Sequence, residues 1–171
     1  TDPRNLATTY TIDGLGNRTQ QHSPDSGLTS SRHDAAGNEI SRTDAKGQTT
    51  TLDYDALNRL SRIRYADGRR SDVLWDQSAN GIGRLSRIED RQNDQLISRL
   101  ENTYDPPGRL IRQTRSVGQA SHTLTWTWSA GRLTAFTTAS GRHLAYSRDS
   151  NGRISAIHLT DSARSDRKST R

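Results

Sequence analysis

The feature that most constrains this chain is a turn signature that returns seven times in 171 residues. Its clearest copy is Tyr54-Asp55-Ala56-Leu57-Asn58-Arg59-Leu60, and another reads Tyr104-Asp105-Pro106-Pro107-Gly108-Arg109-Leu110. The pivots are Gly16, Gly37, Asn58, Gly83, Gly108, Gly131 and Gly152, spaced by 21, 21, 25, 25, 23 and 21 residues. A period of this length means stacked repeats, each too small to bury its own apolar face alone. It points to a β-rich scaffold and away from a self-contained enzyme.

The residue types fit one kind of turn. Asp stands three residues before the pivot in five copies, at Asp13, Asp34, Asp55, Asp105 and Asp149. An Asp that opens a type I turn accepts backbone N–H groups ahead of it. Gly at the fourth position supplies positive φ and closes a hairpin with a bulge. Asn58 replaces Gly in the third copy, and Asn is among the few other residues that tolerate the left-handed region. The copy at Trp75-Asp76 starts alike and then carries a longer loop to Gly83. The copy at Trp128-Ser129-Ala130-Gly131 is one residue shorter and lacks the Asp.

Arg or Asn follows every pivot, with apolar residues beyond it such as Leu60 and Ile63, Leu85 and Ile88, Leu133 and Phe136. Before the pivots, Leu52/Tyr54, Trp126/Trp128 and Leu144/Tyr146 alternate with polar residues. This period of two predicts half-buried strands, and Thr between the apolar positions favours a pleated backbone. No helical stripe is sustained. The expected fold is all-β: consecutive antiparallel hairpins forming a curved or spiral sheet, one face of each hairpin buried.

Composition limits how that sheet can be stabilised. Leu, Ile, Val and Phe make up 27 of 171 residues, 16%, below the roughly 20% at which disorder becomes a competing outcome. A net charge of +6 is small for this length and does not force disorder. A sheet with water on one face, or a hollow shell, needs fewer apolar residues than a filled core. Of 25 cations 23 are Arg, set at near-regular intervals after the pivots, which reads as a solvated rim and edge protection rather than a nucleic-acid patch. No apolar run approaches the roughly 18 residues of a membrane span. The absence of Cys excludes disulfides, thiolate metal sites and a Cys nucleophile within this sequence.

The search for chemistry returns turns and strands. His22, His33, His122, His143 and His158 are isolated, without zinc spacing. Asp149-Ser150-Asn151-Gly152 lacks the later acidic ligand of a calcium loop. Asp53 and Asp55 are a carboxylate pair in spacing only, because Asp55 belongs to a turn. No catalytic, metal or cofactor-binding residue is assigned. Trp126 and Trp128 share a strand face, which core packing explains and which a glycan-stacking platform would also use.

The turn motifs resemble those of the Rhs/YD-repeat family. The resemblance rests on Tyr54 to Leu60 followed by Ile63, Tyr65 and Asp67-Gly68, with support from His33-Asp34-Ala35-Ala36-Gly37-Asn38 and from Tyr104-Asp105 through Leu110. It covers about residues 8–158 and weakens in the sixth and seventh copies. Members are large bacterial proteins, with relatives in insecticidal toxin complexes, wall-associated proteins and animal teneurins. The resemblance implies repeats wound into a hollow shell that, in toxin members, encloses a C-terminal toxin domain. It also implies a secreted or cell-surface location, no enzymatic activity in this piece, and as partners the toxin domain of the same protein and neighbouring repeats. An extracellular carbohydrate-binding or adhesion module that takes surface glycans is the alternative; nucleic acid is not expected as a partner.

The organisation read from the sequence is about seven hairpin repeats over 1–158, a truncated end over 159–165, and a tail over 166–171. That tail, Asp166-Arg167-Lys168-Ser169-Thr170-Arg171, matches a translated sequencing adapter, and the chain opens on Thr1 rather than Met. Both features read as a metagenomic fragment of a larger protein.

Overall fold

The computed structural model describes residues 6–161. It is all-β, with no helix among the described residues. The strands are β1 (Thr9–Ile12), β2 (Arg18–Ser23), β3 (Gly27–His33), β4 (Glu39–Thr43), β5 (Thr49–Tyr54), β6 (Leu60–Arg64) and β7 (Arg69–Trp75). They continue with β8 (Leu85–Gln92), β9 (Gln95–Tyr104), β10 (Leu110–Val117), β11 (Ala120–Ser129), β12 (Arg132–Thr137), β13 (His143–Arg148) and β14 (Ile154–Thr160). Strand order in the sheet follows chain order from β1 to β14 without a crossover. The chain divides into two compact units, Thr1–Val73 with Glu89–Leu96 and Leu74–Ile88 with Ile97–Arg171. The suspected adapter tail lies outside the described residues.

Each repeat is two strands and two turns. The pivot turns join β1 to β2, β3 to β4 and so on. The return turns join β2 to β3, β4 to β5 and so on, and several repeat the same chemistry. Gly47 donates to the Asp44 carbonyl at 3.0 Å, Gly68 to that of Tyr65 at 3.2 Å and Gly141 to that of Thr138 at 3.0 Å. The register slips by one residue beside the pivot turns, at Arg32/His33, Asp53/Tyr54, Thr127/Trp128 and Ser147/Arg148. These slips are the bulges that a Gly-closed turn produces.

In the first unit, Leu52 lies opposite Ile63 and Tyr54 opposite Leu60. On the opposite face Asp53 meets Arg62, and Arg62 and Arg70 both bond Asp72, at 2.5 and 2.9 Å. In the second unit, Trp126 lies opposite Phe136 and Phe136 opposite Leu144. The Trp126 and Phe136 ring centroids are 5.3 Å apart.

Burial is shallower than the expected buried face. Ala135 is the only apolar residue that counts as buried among the described residues, at 7% exposure. Among the described residues no large side chain is fully enclosed. A single layer of sheet covers a side chain only with its lateral neighbours, so the apolar stripe stays half-open and hydrogen bonds carry more of the order.

Candidate functional site

The densest arrangement of specific contacts is at the pivot turns. In the five Asp copies the Asp N–H donates four residues ahead and the pivot N–H donates back to the Asp carbonyl, at 2.7–3.1 Å. The carboxylate then accepts from the backbone ahead of it: Asp13 from Leu15 and Asn17, Asp34 from Ala36 and Asn38, Asp55 from Leu57 and Arg59. Asp149 accepts from Asn151 and Arg153 in the same way. Asp105 accepts only from Arg109 N–H at 2.7 Å, because Pro107 has no N–H to offer.

All seven pivots have positive φ, from 58° at Asn58 to 86° at Gly16. The shortened copy is a two-residue hairpin turn with Ala130 and Gly131 both at positive φ, so no Asp is needed. In the long copy Asp76 itself takes φ 63°, and its carboxylate reaches Gly83 N–H at 2.6 Å.

These bonds favour the ionised form of the Asp13, Asp34, Asp55 and Asp105 carboxylates. The Asn17 side chain, then its backbone N–H, lowers the pKa of Asp13, and Asn38 acts likewise on Asp34. The Arg59 backbone bond is the largest cause at Asp55. At Asp105 desolvation pushes the pKa upward, and the side-chain and backbone bonds from Arg109 outweigh it.

A second contact joins successive repeats and was not foreseen from the sequence. The residue just before the turn donates to the carbonyl two residues past the pivot of the preceding repeat. Tyr54 OH reaches Glu39 O at 3.0 Å, Tyr104 OH reaches Leu85 O at 2.7 Å and Trp128 Nε1 reaches Leu110 O at 2.9 Å. In the last repeat Arg148 does the same with Nη2, at 3.1 Å from Leu133 O. His33 holds this position in the second repeat, and its Nδ1 is buried without a hydrogen-bond partner.

A third contact covers the pivots. Asn38 Nδ2 bonds both its own Asp34 and the next pivot, Asn58 Oδ1, each at 3.0 Å. A Cβ on Gly108 would lie 2.5 Å from the Arg84 guanidinium, and one on Gly152 would meet that of Arg132. Arg84 also lies over the Tyr104 ring, and Arg109 over that of Trp128 at 5.3 Å. Asn38, Arg84, Arg109 and Arg132 thus lie against sheet neighbours. Trp128 donates its N–H to Leu110 O and has Arg109 over one ring face, and Trp126 packs on Phe136.

Among the described residues the polar side chains form pairs and no larger catalytic cluster. Ser147 Oγ and His158 Nε2 are 3.0 Å apart, as are Thr137 Oγ1 and His143 Nδ1, but both pairs are exposed and no acidic partner completes them. No group of three metal-ligating side chains occurs among the described residues. Asp53 bonds Arg64 instead of pairing with Asp55. A polar cleft of about 320 Å³ beside the long loop has Gln77, Ser78, Ser86 and Asn102 in its lining, and these four are bonded to one another. Ser86 Oγ accepts from Gln77 and Ser78 N–H, and Ser78 Oγ donates to Asn102 O.

The RHS repeat family model matches residues 33–70 and 128–164. The second segment contains the sixth and seventh copies, the ones whose motif is weakest by eye. No curated protein matches the chain. Among solved structures, TcdB2-TccC3 without its hypervariable C-terminal region aligns at TM-score 0.71 and 17% identity, covering 94% of this chain and 9% of that one. The Photorhabdus luminescens Tc holotoxin pore aligns at 0.54 and 14%, covering 91% and 10%. A porin-like protein from Bacteroides uniformis aligns at 0.50 and 14%, covering 91% and 83%. At these identities the likeness is one of fold, and the chain spans about a tenth of the two toxin-complex chains.

Proposed function

We propose that this chain of RHS repeats is a stretch of wall in a secreted or cell-surface shell. That shell would enclose a toxin domain carried elsewhere on the full-length protein, and the stretch itself would be non-catalytic. The observation that carries the reading is the contact made between repeats. Each fastened repeat uses its pre-turn side chain to hold the repeat before it, so the side chains expected at a site are spent on building sheet. The fold likeness to TcdB2-TccC3 supports a shell as the product of that building.

The test is protease protection in the intact protein. The domain that follows the repeats is digested in the full-length protein and as an isolated domain. Enclosure predicts cleavage at least tenfold slower in the full-length protein, with protection lost once the repeats are unfolded. Equal cleavage rates would overturn the reading.

A further inference from the structure

The two rims of the first unit share a turn but carry different side chains on it. The pivot turns β1–β2, β3–β4 and β5–β6 lie at one end of the strands and the return turns at the other. The residue just before the closing Gly or Asn is Leu15, Ala36 or Leu57 at the pivots, and Ser26, Lys46 or Asp67 at the returns. Turn geometry does not make this choice. Lys46 N–H bonds Asp44 Oδ1 at 2.9 Å, as Leu15, Ala36 and Leu57 N–H bond Asp13, Asp34 and Asp55, each at 2.9 Å. A polar residue therefore fits the position, and turns are ordinarily built from such residues. Yet Leu15 is 76% exposed and Leu57 69%. In the second unit Ile82 holds the same position before Gly83 and is 88% exposed. Leu57 and Ile82 belong to the third and fourth of the seven copies, so their exposure does not come from a chain end.

Size and polarity select what covers these tips. Successive pivot turns are two strands, about 10 Å, apart, and Ala36 leaves a low point between the two leucines. Two leucines and an alanine offer on the order of 200–300 Å², a fraction of the roughly 1,200 Å² that a stable protein contact buries. A lipid surface needs neither that area in one patch nor a matching shape. A backbone N–H carried into a low-dielectric layer needs a partner within the chain. Each tip N–H has one in the Asp carboxylate behind it. Within these three turns Arg59 is the one cation, and it pairs with Asp55 at 2.8 Å, so the rim offers no basic patch to anionic lipid.

We propose that the pivot rim of the first unit docks on the surface of a zwitterionic lipid bilayer, with Leu15 and Leu57 set into its interfacial layer. The turns are closed by their own hydrogen bonds, so the leucines are presented without further ordering of the chain. The return rim, with Lys46 and Asp67 at its tips, stays in water. The inference goes beyond the shell reading and does not depend on it, because a wall that encloses nothing would bind lipid equally well.

The test is flotation of the full chain with phosphatidylcholine vesicles. Leu15→Lys and Leu57→Lys are combined, since the same turn already accepts Lys46, and far-UV circular dichroism verifies that the sheet persists. The parent chain is expected to float equally at about 0.1 and about 0.5 M salt. The double variant should partition about tenfold more weakly or worse, and Lys46→Glu on the other rim should match the parent. Absence of flotation, or equal partition of parent and double variant, would overturn the proposal. So would binding to phosphatidylserine vesicles alone with release at high salt, because charge and not the leucines would then hold the chain. If the Lys variant does not fold, Leu15→Ser with Leu57→Ser, after Ser26 of the return rim, is judged by the same criteria.

Discussion

The repeat that ends in Tyr104 and the one that ends in His33 share a turn but not a fastening. Both have Asp next in sequence and Gly at the pivot, at φ 81° and 85°. Tyr104 OH bonds Leu85 O at 2.7 Å, with Asn102 Nδ2 beside it at 3.3 Å and Arg84 over the ring. His33 has the same backbone setting, paired in register with Glu39, yet its Nδ1 is buried and unbonded. The difference is one of reach. A phenol, an indole or a guanidinium carries its donor far enough from the backbone to cross to the preceding repeat, and an imidazole is shorter. The turn is therefore set locally, by Asp and Gly, while the coupling between repeats is set separately, by the residue before the Asp.

The largest expected effect tests the local half and is collective. Asp13, Asp34, Asp55 and Asp105 all have lowered pKa values in the folded chain. A lowered folded pKa contributes stability above the unfolded value of about 4 and loses it as pH falls through the folded one. The melting temperature should stay level from pH 7 to 5 and drop steeply below about pH 4. A melting temperature unchanged down to pH 2.5 would remove the carboxylates from the account of the turns.

Next come the pivots. Gly16 and Gly108 both need positive φ, but a Cβ meets nothing within 4 Å at Gly16 and the Arg84 guanidinium at Gly108. Gly16→Ala should cost about 1 kcal/mol from backbone strain alone, and Gly108→Ala about 2–3. Asn58→Val forces a β-branched residue to φ 58° and removes the bond from Asn38, for about 2 kcal/mol, whereas Asn58→Gly should stay within about 0.5. Chemical denaturation of the four variants gives the ranking; equal costs at Gly16 and Gly108 would mean Arg84 simply moves aside.

The fastening itself is worth less. Tyr54→Phe removes the side-chain donor to Glu39 O. Tyr104→Phe leaves Leu85 O with the Asn102 amide at 3.1 Å. A loss of about 1 kcal/mol is expected for Tyr54→Phe and about half that for Tyr104→Phe. The reverse order would show that the Asn102 bond does not substitute.

Much of this was readable before the structure and some was not, for identifiable reasons. The pivots were legible because positive φ restricts residue choice to Gly and Asn, and that restriction repeats at a fixed period. The strands were legible from alternation around Leu52/Tyr54 and Trp126/Trp128. The return turns at Gly47, Gly68 and Gly141 carry the same signal at mid-period and could have been found with it. The fastening was hidden because its donors are chemically unlike: Tyr54, Tyr104, Trp128 and Arg148 share reach and an N–H or O–H, not a residue type. The aromatic residues before the Asp were visible, but alternation explained them as strand packing. Shallow burial was hidden too, since a half-open stripe and a closed core have the same period of two.

The smallest effect is the sharpest test of the comparison, because it asks for a gain. By the offset seen in the other repeats, the carbonyl that faces position 33 is that of Arg18, two residues past Gly16. His33→Tyr puts a donor of sufficient reach there and removes a buried nitrogen that has no partner. Native proteins leave such small gains unused, so a stabilisation of about 0.5–1 kcal/mol is expected. His33→Phe supplies the ring without the donor and separates the two contributions. If Tyr stabilises and Phe does not, the pre-turn donor is a general coupling element of this sheet. If both variants gain equally, the benefit is apolar surface, and the contacts made by Tyr54 and Tyr104 owe more to their rings than to their hydroxyls.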